Sequence, residues 1–395
     1  MKILAIHNFH RKGSASGDDQ VFNNETKLLN DMGNCVVKYT INNSEYDEAS
    51  ILKKVKMTIG MFWSFKHYVK VKKIIEHEKP DVVHVHAFFP LLSPSILYAA
   101  HKSGKPVIVT LHDTRLVCPC ATSLCNGKLC NSCVDGKYYR MCKNKCYQNS
   151  KIKSLIVALI FLIHRKLGTF CKQVDRYICL NNTQKELLIE SGISKEKLIK
   201  KYNFVEESNK NVEIDKHLDI PNRFVCYFGR LGEEKGIKLL MQIWDEIENI
   251  PLVVMGTGPL EEDFSKWAQK KKNIYFLGYT EHEKCMEIVK QSEFVICPSV
   301  CYEGCSMVGV EAESMGKPII GPSIGFFGEA IVNRYNGLKA EINNVKDYVE
   351  KIYEIWSDEV LINKMSTNAR EDYQNKYSPK NNYRVLMQIY EESGK

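Results

Sequence analysis

Two carboxylates eight positions apart, Glu303 and Glu311 in the segment EGCSMVGVE, lie where a loop is expected to enter a helix. The apolar run at residues 294–297 is typical of a buried strand, and the small residues at 304–309 are expected to open a helix that ends at Gly316. The N-terminus of that helix offers N–H groups and a positive dipole end to a phosphate, and carboxylates on either side can accept hydrogen bonds from sugar and ribose hydroxyls. The pair alone is weak evidence, because two glutamates at this spacing also occur by chance.

Two cations lie in an earlier loop, GRLGEEKG, which follows a predicted strand at residues 224–228. Gly229 permits a tight turn there, and Arg230 and Lys235 project from the loop. The guanidinium provides a planar fork for phosphate oxygens and the ammonium a mobile point charge, so together they can stabilise a departing nucleoside diphosphate without a metal. The alternative is an exposed arginine and a lysine at a helix start that bind nothing.

Two further segments, which are weaker evidence by themselves, also lie at the ends of predicted strands. Gly256 and Gly258 in MGTGP allow the backbone to approach a ligand, and Leu277 and Gly278 in FLGY end the following strand. All four segments come at the C-terminal ends of predicted strands, the edge where open α/β sheets bind ligands. They therefore predict one sugar-nucleotide site in the C-terminal half.

The length of 395 residues gives room for two domains of roughly 200 residues each. Neither a signal peptide nor a spanning helix is apparent, since the longest apolar run, at 155–163, is about half of the ~20 residues that a transmembrane helix needs. The chain also contains 15 cysteines, many of them scattered singly, which fits a reducing compartment. These features predict a cytoplasmic protein.

The charge is divided unequally between the two halves. The net charge is +8, but residues 1–204 carry 32 Lys and Arg against 16 Asp and Glu, which is +16 and leaves −8 for the rest. A basic half of this kind can meet nucleic acid, an anionic membrane or a phosphorylated substrate, or it can simply carry solvated lysines.

Short apolar runs alternate with helical patterns along the whole chain, which is the rhythm of βαβ units and parallel sheets. We expect an α/β protein with two Rossmann-like, doubly wound parallel-sheet domains that face each other across a cleft. The predicted strands lie at 3–7, 35–39, 82–86, 107–111, 177–180, 224–228, 252–255, 274–277, 294–297 and 318–321. The predicted organisation is a first domain at 1–205 with a Cys-rich insert at 118–146, a linker at 206–222, a second domain at 223–375, and a helix at 376–395 that crosses back to the first domain.

With these segments in hand, the sequence resembles the family-4 retaining glycosyltransferases of the GT-B fold over nearly its whole length. In the first half the resemblance rests on SGDDQVFNNETKLLNDMGN, DVVHVHAFFP and TLHDTRLVCP. It implies transfer of a hexose from a nucleoside-diphosphate sugar with retention at the anomeric carbon and without a catalytic metal. It further implies a UDP-, GDP- or ADP-sugar donor, a glycan or polyprenyl-linked acceptor, and a bacterial surface polysaccharide as product: capsule, O-antigen or exopolysaccharide.

For the second domain, the resemblance implies a role for each segment. Arg230 and Lys235 would hold the diphosphate. Glu303 would contact hydroxyls of the transferred sugar, whereas Glu311 would bind the ribose. The other donor-binding residues that it implies are Gly229, Gly256, Gly258, Leu277, Gly278, Gly304, Cys305, Ser306 and Met307.

In the first domain, His112 in TLHD matches the family histidine that faces the donor sugar, although a histidine at a strand end is otherwise as often structural. Gly17 matches the glycine loop that closes on the donor, with SGDDQ in place of the usual paired glycines. His84 and His86 are expected to face opposite sides of their strand, with His86 toward the cleft. The implied catalytic set is His112, Glu303, Arg230 and Lys235.

Seven cysteines fall between Cys118 and Cys146. Cys130 and Cys133 form a C-x2-C motif, and Cys118 and Cys146 lie about a dozen residues to either side, so four thiolates can surround one structural zinc. Free thiols are the main alternative, and disulfides are disfavoured in a cytoplasm.

Two basic and apolar segments are candidates for membrane contact. Residues 53–73 interleave seven lysines with aromatic and aliphatic side chains, and the apolar run at 155–163 is flanked by Lys and Arg. Both can lie on an anionic leaflet, which would attach the protein to the inner face of the plasma membrane. Both can equally be amphipathic helices that pack on the sheet.

Two other functions stay open on the sequence alone. A nucleic-acid-binding protein would use the basic half and a zinc module of cysteines, but it leaves the four charged residues of the second half unexplained. A GT-B sugar-nucleotide epimerase would use the same donor site for another reaction. The leading interpretation is the glycosyltransferase, with no nucleic-acid partner.

Overall fold

The computed structural model describes residues 1–11, 16–207 and 220–394, so most of the predicted linker lies outside the described residues. The chain divides into two compact units. The first consists of the described parts of Met1–Ser123, Cys130–Asn203 and Asn382–Lys395, and the second of Leu124–Leu129 and the described parts of Phe204–Asn381. Each unit is built on a six-stranded parallel sheet with helices between the strands, which confirms the predicted Rossmann-like α/β class.

The strands in the first half of the chain are β1 (Lys2–Phe9), β2 (Cys35–Asn42), β3 (Val82–Val85), β4 (Val107–Leu111), β5 (Leu124–Cys125), β6 (Lys128–Leu129), β7 (Arg176–Cys179) and β8 (Leu198–Lys200). β5 and β6 form a short antiparallel hairpin. The other six make the first sheet, in the order β2-β1-β3-β4-β7-β8. The strand order therefore reverses between β1 and β3.

The helices of this half are α1 (Gly17–Asp31), α2 (Ser44–Asp47), α3 (Ile51–Gly60), α4 (Phe65–Glu78), α5 (Ser95–Lys102), α6 (Tyr139–Lys143), α7 (Lys151–Lys166), α8 (Thr169–Lys172) and α9 (Asn182–Glu190), with a 3-10 turn at Lys195–Lys197. Several begin at a capping side chain. The Oγ of Ser150, for example, accepts a hydrogen bond from the backbone N–H of Lys153 at 3.4 Å, which satisfies one free donor of α7.

The second sheet contains β9 (Val225–Phe228), β10 (Leu252–Met255), β11 (Ile274–Gly278), β12 (Phe294–Ile296), β13 (Ile319–Pro322) and β14 (Gly337–Ala340). Their order is β11-β10-β9-β12-β13-β14, all parallel, which is the order of dinucleotide-binding sheets. β9, β10 and β12 are buried along their whole length, as strands covered on both faces must be. The order reverses between β9 and β12.

The helices of the second half are α10 (Ile237–Asp245), α11 (Glu261–Ala268), α12 (His282–Gln291), α13 (Met307–Ser314), α14 (Gly325–Ala330), α15 (Val345–Trp356), α16 (Glu359–Asp372) and α17 (Pro379–Ser393), with a π turn at Tyr373–Tyr377. α17 has a buried face of Leu386, Ile389 and Tyr390. These side chains join Ile3 and other strand residues in a core cluster of the first unit. Each such buried aliphatic side chain contributes about 1.5–3 kcal/mol to the packing.

The loop from Gly229 to Gly236 is held against its neighbours by backbone contacts. The N–H of Leu231 donates to the carbonyl oxygen of Thr257 at 2.8 Å, and the N–H of Gly229 donates to that of Met255 at 3.0 Å. Gly236 ends the loop in a left-handed conformation, with φ at +73°, and forms the N-cap of α10. A Cβ at Gly236 would lie 1.9 Å from the carbonyl oxygen of Pro298, so only glycine fits there.

We therefore expect Gly236→Ala to lower the free energy of unfolding by about 3 kcal/mol, because a left-handed alanine and a clash with backbone combine. Gly278→Ala is the matched control in the same unit. Gly278 has a similar φ of +64°, and its Cβ would meet no described atom within 4 Å, so we expect a loss of only about 1 kcal/mol. Urea unfolding of both variants checks this, and equal losses would contradict the proposed close contact.

Candidate active site

The predicted donor residues of the second half collect where the strand order of the second sheet reverses. Arg230 follows β9, and Glu303 lies in the loop between β12 and α13. A solvent-open cleft of about 280 Å³ lies at these strand ends. Its lining residues are Tyr227, Phe228, Gly229, Arg230, Lys235, Cys297, Ser299, Glu303, Ser306, Val308 and Phe327. Open α/β sheets bind ligands in the crevice at such a reversal.

Lys235 and Glu303 form an ion pair at the centre of this cleft. The Nζ of Lys235 lies 2.6 Å from the Oε1 of Glu303, and the Oγ of Ser299 donates to the same oxygen at 2.8 Å. Burial alone would lower the pKa of Lys235, but the charge of Glu303 and the hydrogen bond to it outweigh burial and raise this pKa above its ordinary value. The ammonium is therefore charged at neutral pH.

Arg230 is the more exposed cation of the cleft. Its Nη1 lies 3.2 Å from the Oε1 of Glu234, one turn further along the loop. Such a pair between exposed side chains is worth less than about 1 kcal/mol, so an incoming anion can replace it at little cost. Arg230 and Lys235 thus supply one mobile and one anchored positive charge on the same wall.

The N-terminus of α13 lies beside the ion pair. Ser306 is its N-cap, and the Oγ of Ser306 accepts from the N–H of Gly309 at 3.3 Å. Gly304 and Cys305 precede the cap, and Met307 is the first helical residue. The positive end of this helix dipole adds to the attraction for a phosphate.

Glu311 lies in the second turn of α13 and is 5% exposed. Its Oε1 is 2.9 Å from the Nε2 of His282, the first residue of α12. This hydrogen bond raises the pKa of His282 against the opposing effect of burial. His282 was not among the residues predicted from the sequence, because no motif links it to a residue 29 positions away. Its place three residues after FLGY is a local signal that it lies near the same strand ends.

The remaining glycines of the predicted set hold the loops together. A Cβ at Gly256 would lie 1.9 Å from the carbonyl oxygen of Gly229, and one at Gly258 would lie 2.5 Å from that of Leu231. Gly278 accepts from the N–H of Gly256 at 2.7 Å, directly after Leu277. Gly256 and Gly258 need to be glycine because the neighbouring loops come so close, and the role of all these positions toward a donor stays a prediction.

His112 and Gly17 belong to the first unit. Gly17 is the exposed first residue of α1, capped by Ser16. His112 follows β4, and its Nε2 lies 3.1 Å from the Nδ1 of His86. Burial, and then the neighbouring His86, lower the pKa of His112 well below its ordinary value, so the imidazole is neutral.

The expectation that His84 and His86 face opposite sides is wrong. Their ring centroids are 4.3 Å apart, and both rings lie beside the carboxylate of Glu25. Side chains alternate along a strand with a period of two, so residues i and i+2 share a face. His84 is buried as expected, bonded to Thr110 and Tyr390.

In the described part of the chain, the cysteines of the insert form no disulfide. Cys118 pairs with Cys120, with the two sulfur atoms 3.2 Å apart, and this hydrogen bond lowers the pKa of Cys120 to about 6. Within the described residues, no three of the predicted ligands Cys118, Cys130, Cys133 and Cys146 have sulfur atoms that all lie within 4.8 Å of one another. A zinc ion would have to draw them together, and the zinc site stays a prediction.

Apolar side chains are exposed on two helices of the first unit. Ile51 and Leu52 in α3 are 81% and 85% exposed, and Ile152 in α7 is 73% exposed. The Nε2–H of His164 in α7 donates to the carbonyl oxygen of Phe62 at 2.8 Å, which places α7 beside the end of α3. Among the helices in the described parts of the chain, none has both the length and the apolar character needed to cross a bilayer.

Comparison with known proteins defines the class. A family model described as "Glycosyl transferases group 1" matches residues 208–372, and one described as "Glycosyltransferase Family 4" matches residues 51–209. An uncharacterized glycosyltransferase of Methanocaldococcus jannaschii is 26% identical over 375 residues, which are 93% of this chain and 92% of the relative. The chain is a glycosyltransferase.

Two further proteins show which glycosyltransferases the chain is similar to in sequence and in fold. The Escherichia coli UDP-Gal:alpha-D-GlcNAc-diphosphoundecaprenol alpha-1,3-galactosyltransferase is 26% identical over 347 residues, covering 81% of this chain and 77% of that protein. The Anabaena protein HepE in complex with UDP-glucose has a TM-score of 0.66 at 16% identity, covering 98% of this chain and 99% of that one. The chain belongs to glycosyltransferase family 4 and has the GT-B fold, which confirms the resemblance seen in the sequence.

The contact between His282 and Glu311 predicts a pH-dependent contribution to stability. Because the pKa of His282 is raised, the contact stabilises the fold fully when the pH is below about 6.5, the ordinary pKa of histidine. This stabilisation is lost as the pH rises through the raised pKa of His282. We expect His282→Gln to cost about 0.5 kcal/mol at about pH 6, because the ring is partly exposed, and nothing at about pH 9. Urea unfolding across this range checks it.

A proton NMR titration provides the control. The pKa of His282 should fall in Glu311→Gln, and a stability difference that grows with pH would contradict the assignment.

Proposed function

We propose that this protein is a retaining hexosyltransferase that transfers a sugar from a nucleoside-diphosphate sugar to a lipid-linked glycan during synthesis of a bacterial surface polysaccharide. The observation that carries this proposal is the Lys235–Glu303 ion pair at the reversal of the second sheet, with Arg230 and the N-terminus of α13 beside it. Two cations and a helix dipole suit a diphosphate, and a carboxylate next to them suits sugar hydroxyls.

In this mechanism, Lys235 and Arg230 bind the diphosphate and stabilise the negative charge that grows on it as the glycosidic bond breaks. Glu303 accepts hydrogen bonds from hydroxyls of the transferred sugar. Because its Oε1 already accepts from Lys235 and Ser299, Glu303 is suited to holding the sugar rather than to removing a proton. The acceptor oxygen bonds to the anomeric carbon on the face from which the diphosphate departs, and the departing phosphate takes the proton of the acceptor hydroxyl, so the configuration is retained.

Glu311 has a different proposed role. His282 occupies its Oε1, so its other carboxylate oxygen is the one offered to the ribose hydroxyls. His112 is also proposed to contact the transferred sugar. No catalytic metal takes part in this mechanism, because the two cations provide the charge that a metal would.

The names of related proteins support the choice of substrates. The Escherichia coli relative uses UDP-Gal and a GlcNAc-diphosphoundecaprenol acceptor, and HepE is seen with UDP-glucose. We therefore propose a UDP-hexose donor and an acceptor linked to a polyprenyl diphosphate. Such an acceptor lies in a membrane, and the exposed apolar side chains of α3 and α7 among many lysines suit attachment to an anionic leaflet.

A panel of UDP-glucose, UDP-galactose, GDP-mannose and ADP-glucose tests the donor. We expect a UDP-sugar to raise the melting temperature and to be hydrolysed slowly, and Lys235→Ala to lower kcat about 100- to 1000-fold, corresponding to about 3–4 kcal/mol. Lys238→Ala is the matched control, since Lys238 is an exposed lysine of the next helix that pairs with Glu233 at 2.7 Å. No response to any nucleotide sugar, or equal losses in the two variants, would contradict the proposed site.

Flotation with vesicles that contain phosphatidylglycerol tests the membrane contact. We expect the double variant Leu52→Asp and Ile152→Asp to weaken binding at least about 100-fold, because two apolar side chains would lose about 1.5–3 kcal/mol each. Val360→Asp in the second unit removes a side chain of similar exposure, 79%, and should bind as the wild type does. Absence of wild-type binding, or equal binding by all three proteins, would overturn the proposed attachment.

A further inference from the structure

A cluster of buried polar side chains lies where the strand order of the first sheet reverses, between β1 and β3. Glu25 extends into it from α1, His84 and His86 from β3 and its end, and Lys201 from the end of β8. The Nζ of Lys201 is 3.0 Å from the Oε2 of Glu25, and both side chains are at most 3% exposed. The catalytic roles proposed above do not use these four residues.

One line of contacts leads from this cluster to His112. The Oε1 of Glu25 lies 3.1 Å from the Nε2 of His86, and the Nδ1 of His86 lies 3.1 Å from the Nε2 of His112. The rings of His86 and His112 are nearly parallel, at 21°, with centroids 5.3 Å apart. The two imidazoles share a hydrogen bond, whereas the contact of His86 with Glu25 is electrostatic, since the Oε1 of Glu25 has no hydrogen-bond partner among the described residues.

The charges next to the two imidazoles indicate which ring nitrogens of His86 and His112 carry protons. Glu25 has a cationic partner in Lys201 at 3.0 Å, so the one carboxylate charge of the cluster is already balanced. A neutral imidazole carries one proton, and the negative charge of Glu25 favours placing it on the nitrogen of His86 that faces the carboxylate. The Nδ1 of His86 is then an acceptor, and the Nε2 of His112 must be the donor to it.

Because the Nε2 of a neutral His112 carries its one proton, the Nδ1 of this ring is an acceptor. In the described part of the chain this atom is buried and has no hydrogen-bond partner, while the residue as a whole is partly exposed. We propose that Glu25 and His86 are positioning residues that hold His112 in one tautomer, with Nε2 protonated and Nδ1 free to accept a hydrogen bond from a hydroxyl of the donor sugar. The hydrogen bond from the donor sugar rests on the proposed function, whereas the tautomer of His112 follows from residues of the first unit alone.

A metal ion would be another use of this cluster, because Glu25, His84 and His86 have ligand atoms that all lie within 4.8 Å of one another. The contacts of the group do not favour it. The Lys201 ammonium already supplies a positive charge at Glu25, and both ring nitrogens of His84 are engaged, by Tyr390 at 2.7 Å and by Thr110 at 2.8 Å. The hydrogen bonds of His84 and the ion pair of Glu25 with Lys201 are formed without an ion.

NMR of the full chain labelled with ¹⁵N-histidine tests the tautomer without reference to activity. In the wild type near neutral pH, we expect His112 to show a protonated Nε2 and an unprotonated Nδ1, with its signals identified by their loss in His112→Gln. His86→Phe removes the acceptor, so the tautomers of His112 should mix. His86→Asn places an amide oxygen near the position of the ring Nδ1 and should restore the single tautomer.

Kinetics on UDP-glucose, or on the panel member that is hydrolysed fastest, provide the functional readout. We expect His86→Phe and Glu25→Gln to lower kcat about 10- to 100-fold with little change in KM, as the loss of a partner that orients a histidine does. His86→Asn should recover part of kcat. Tyr390→Phe is the matched control, because it removes a hydroxyl that contacts His84 in the same buried cluster. It leaves the contacts from Glu25 through His86 to His112 unchanged.

The possible outcomes separate this proposal from the proposed function. If no nucleotide sugar is turned over but His112 shows the expected tautomer, the proposed function fails and the positioning role stands. If the enzyme is active but wild-type His112 carries its proton on Nδ1, or His86→Phe leaves the tautomer unchanged, the positioning role is overturned. A stoichiometric metal in the purified protein that is lost in His86→Phe would overturn it too.

Discussion

The reversal of strand order between β9 and β12 is the constraint on which the candidate active site depends. At this point the connections of a parallel sheet leave toward opposite faces, so the loops diverge and leave a crevice at the carboxyl edge. Lys235 comes from one of these loops and Glu303 from the other, and they meet at 2.6 Å. Neither side chain would have its partner if the two strands were not adjacent in the sheet.

The ion pair also explains how a cleft for a dianion can exist before the ligand arrives. A lysine held close to a carboxylate stays charged in spite of burial, and the carboxylate does not have to be solvated by water alone. Arg230, which has an exposed contact with Glu234, is the cation that can move to a phosphate. The site thus combines one charge that is fixed in advance with one that adapts to the ligand.

The first sheet contains the same type of reversal, between β1 and β3, but its side chains serve another purpose. Glu25 and Lys201 neutralise each other in the interior, and the histidines beside them are left without an excess of charge. What this cluster can control is therefore the position of protons, not the binding of phosphate. That difference follows from the residue types, since imidazole can donate from one nitrogen and accept at the other.

The sequence by itself determined the elements and the loops that follow them. Strands buried on both faces, such as β9, β10 and β12, are continuous apolar runs and could be located for that reason. Arg230, Lys235 and Glu303 were identified because each lies in a loop that follows such a strand. β8 and β14 were missed, because LIK and GLKA are too short and too mixed to form such a run. Only the tertiary structure decided which side chains meet: His282 with Glu311, and Glu25 with His86 and His112. These partners come from elements far apart in the chain, and strand order in the sheet, which no local pattern encodes, brings them together.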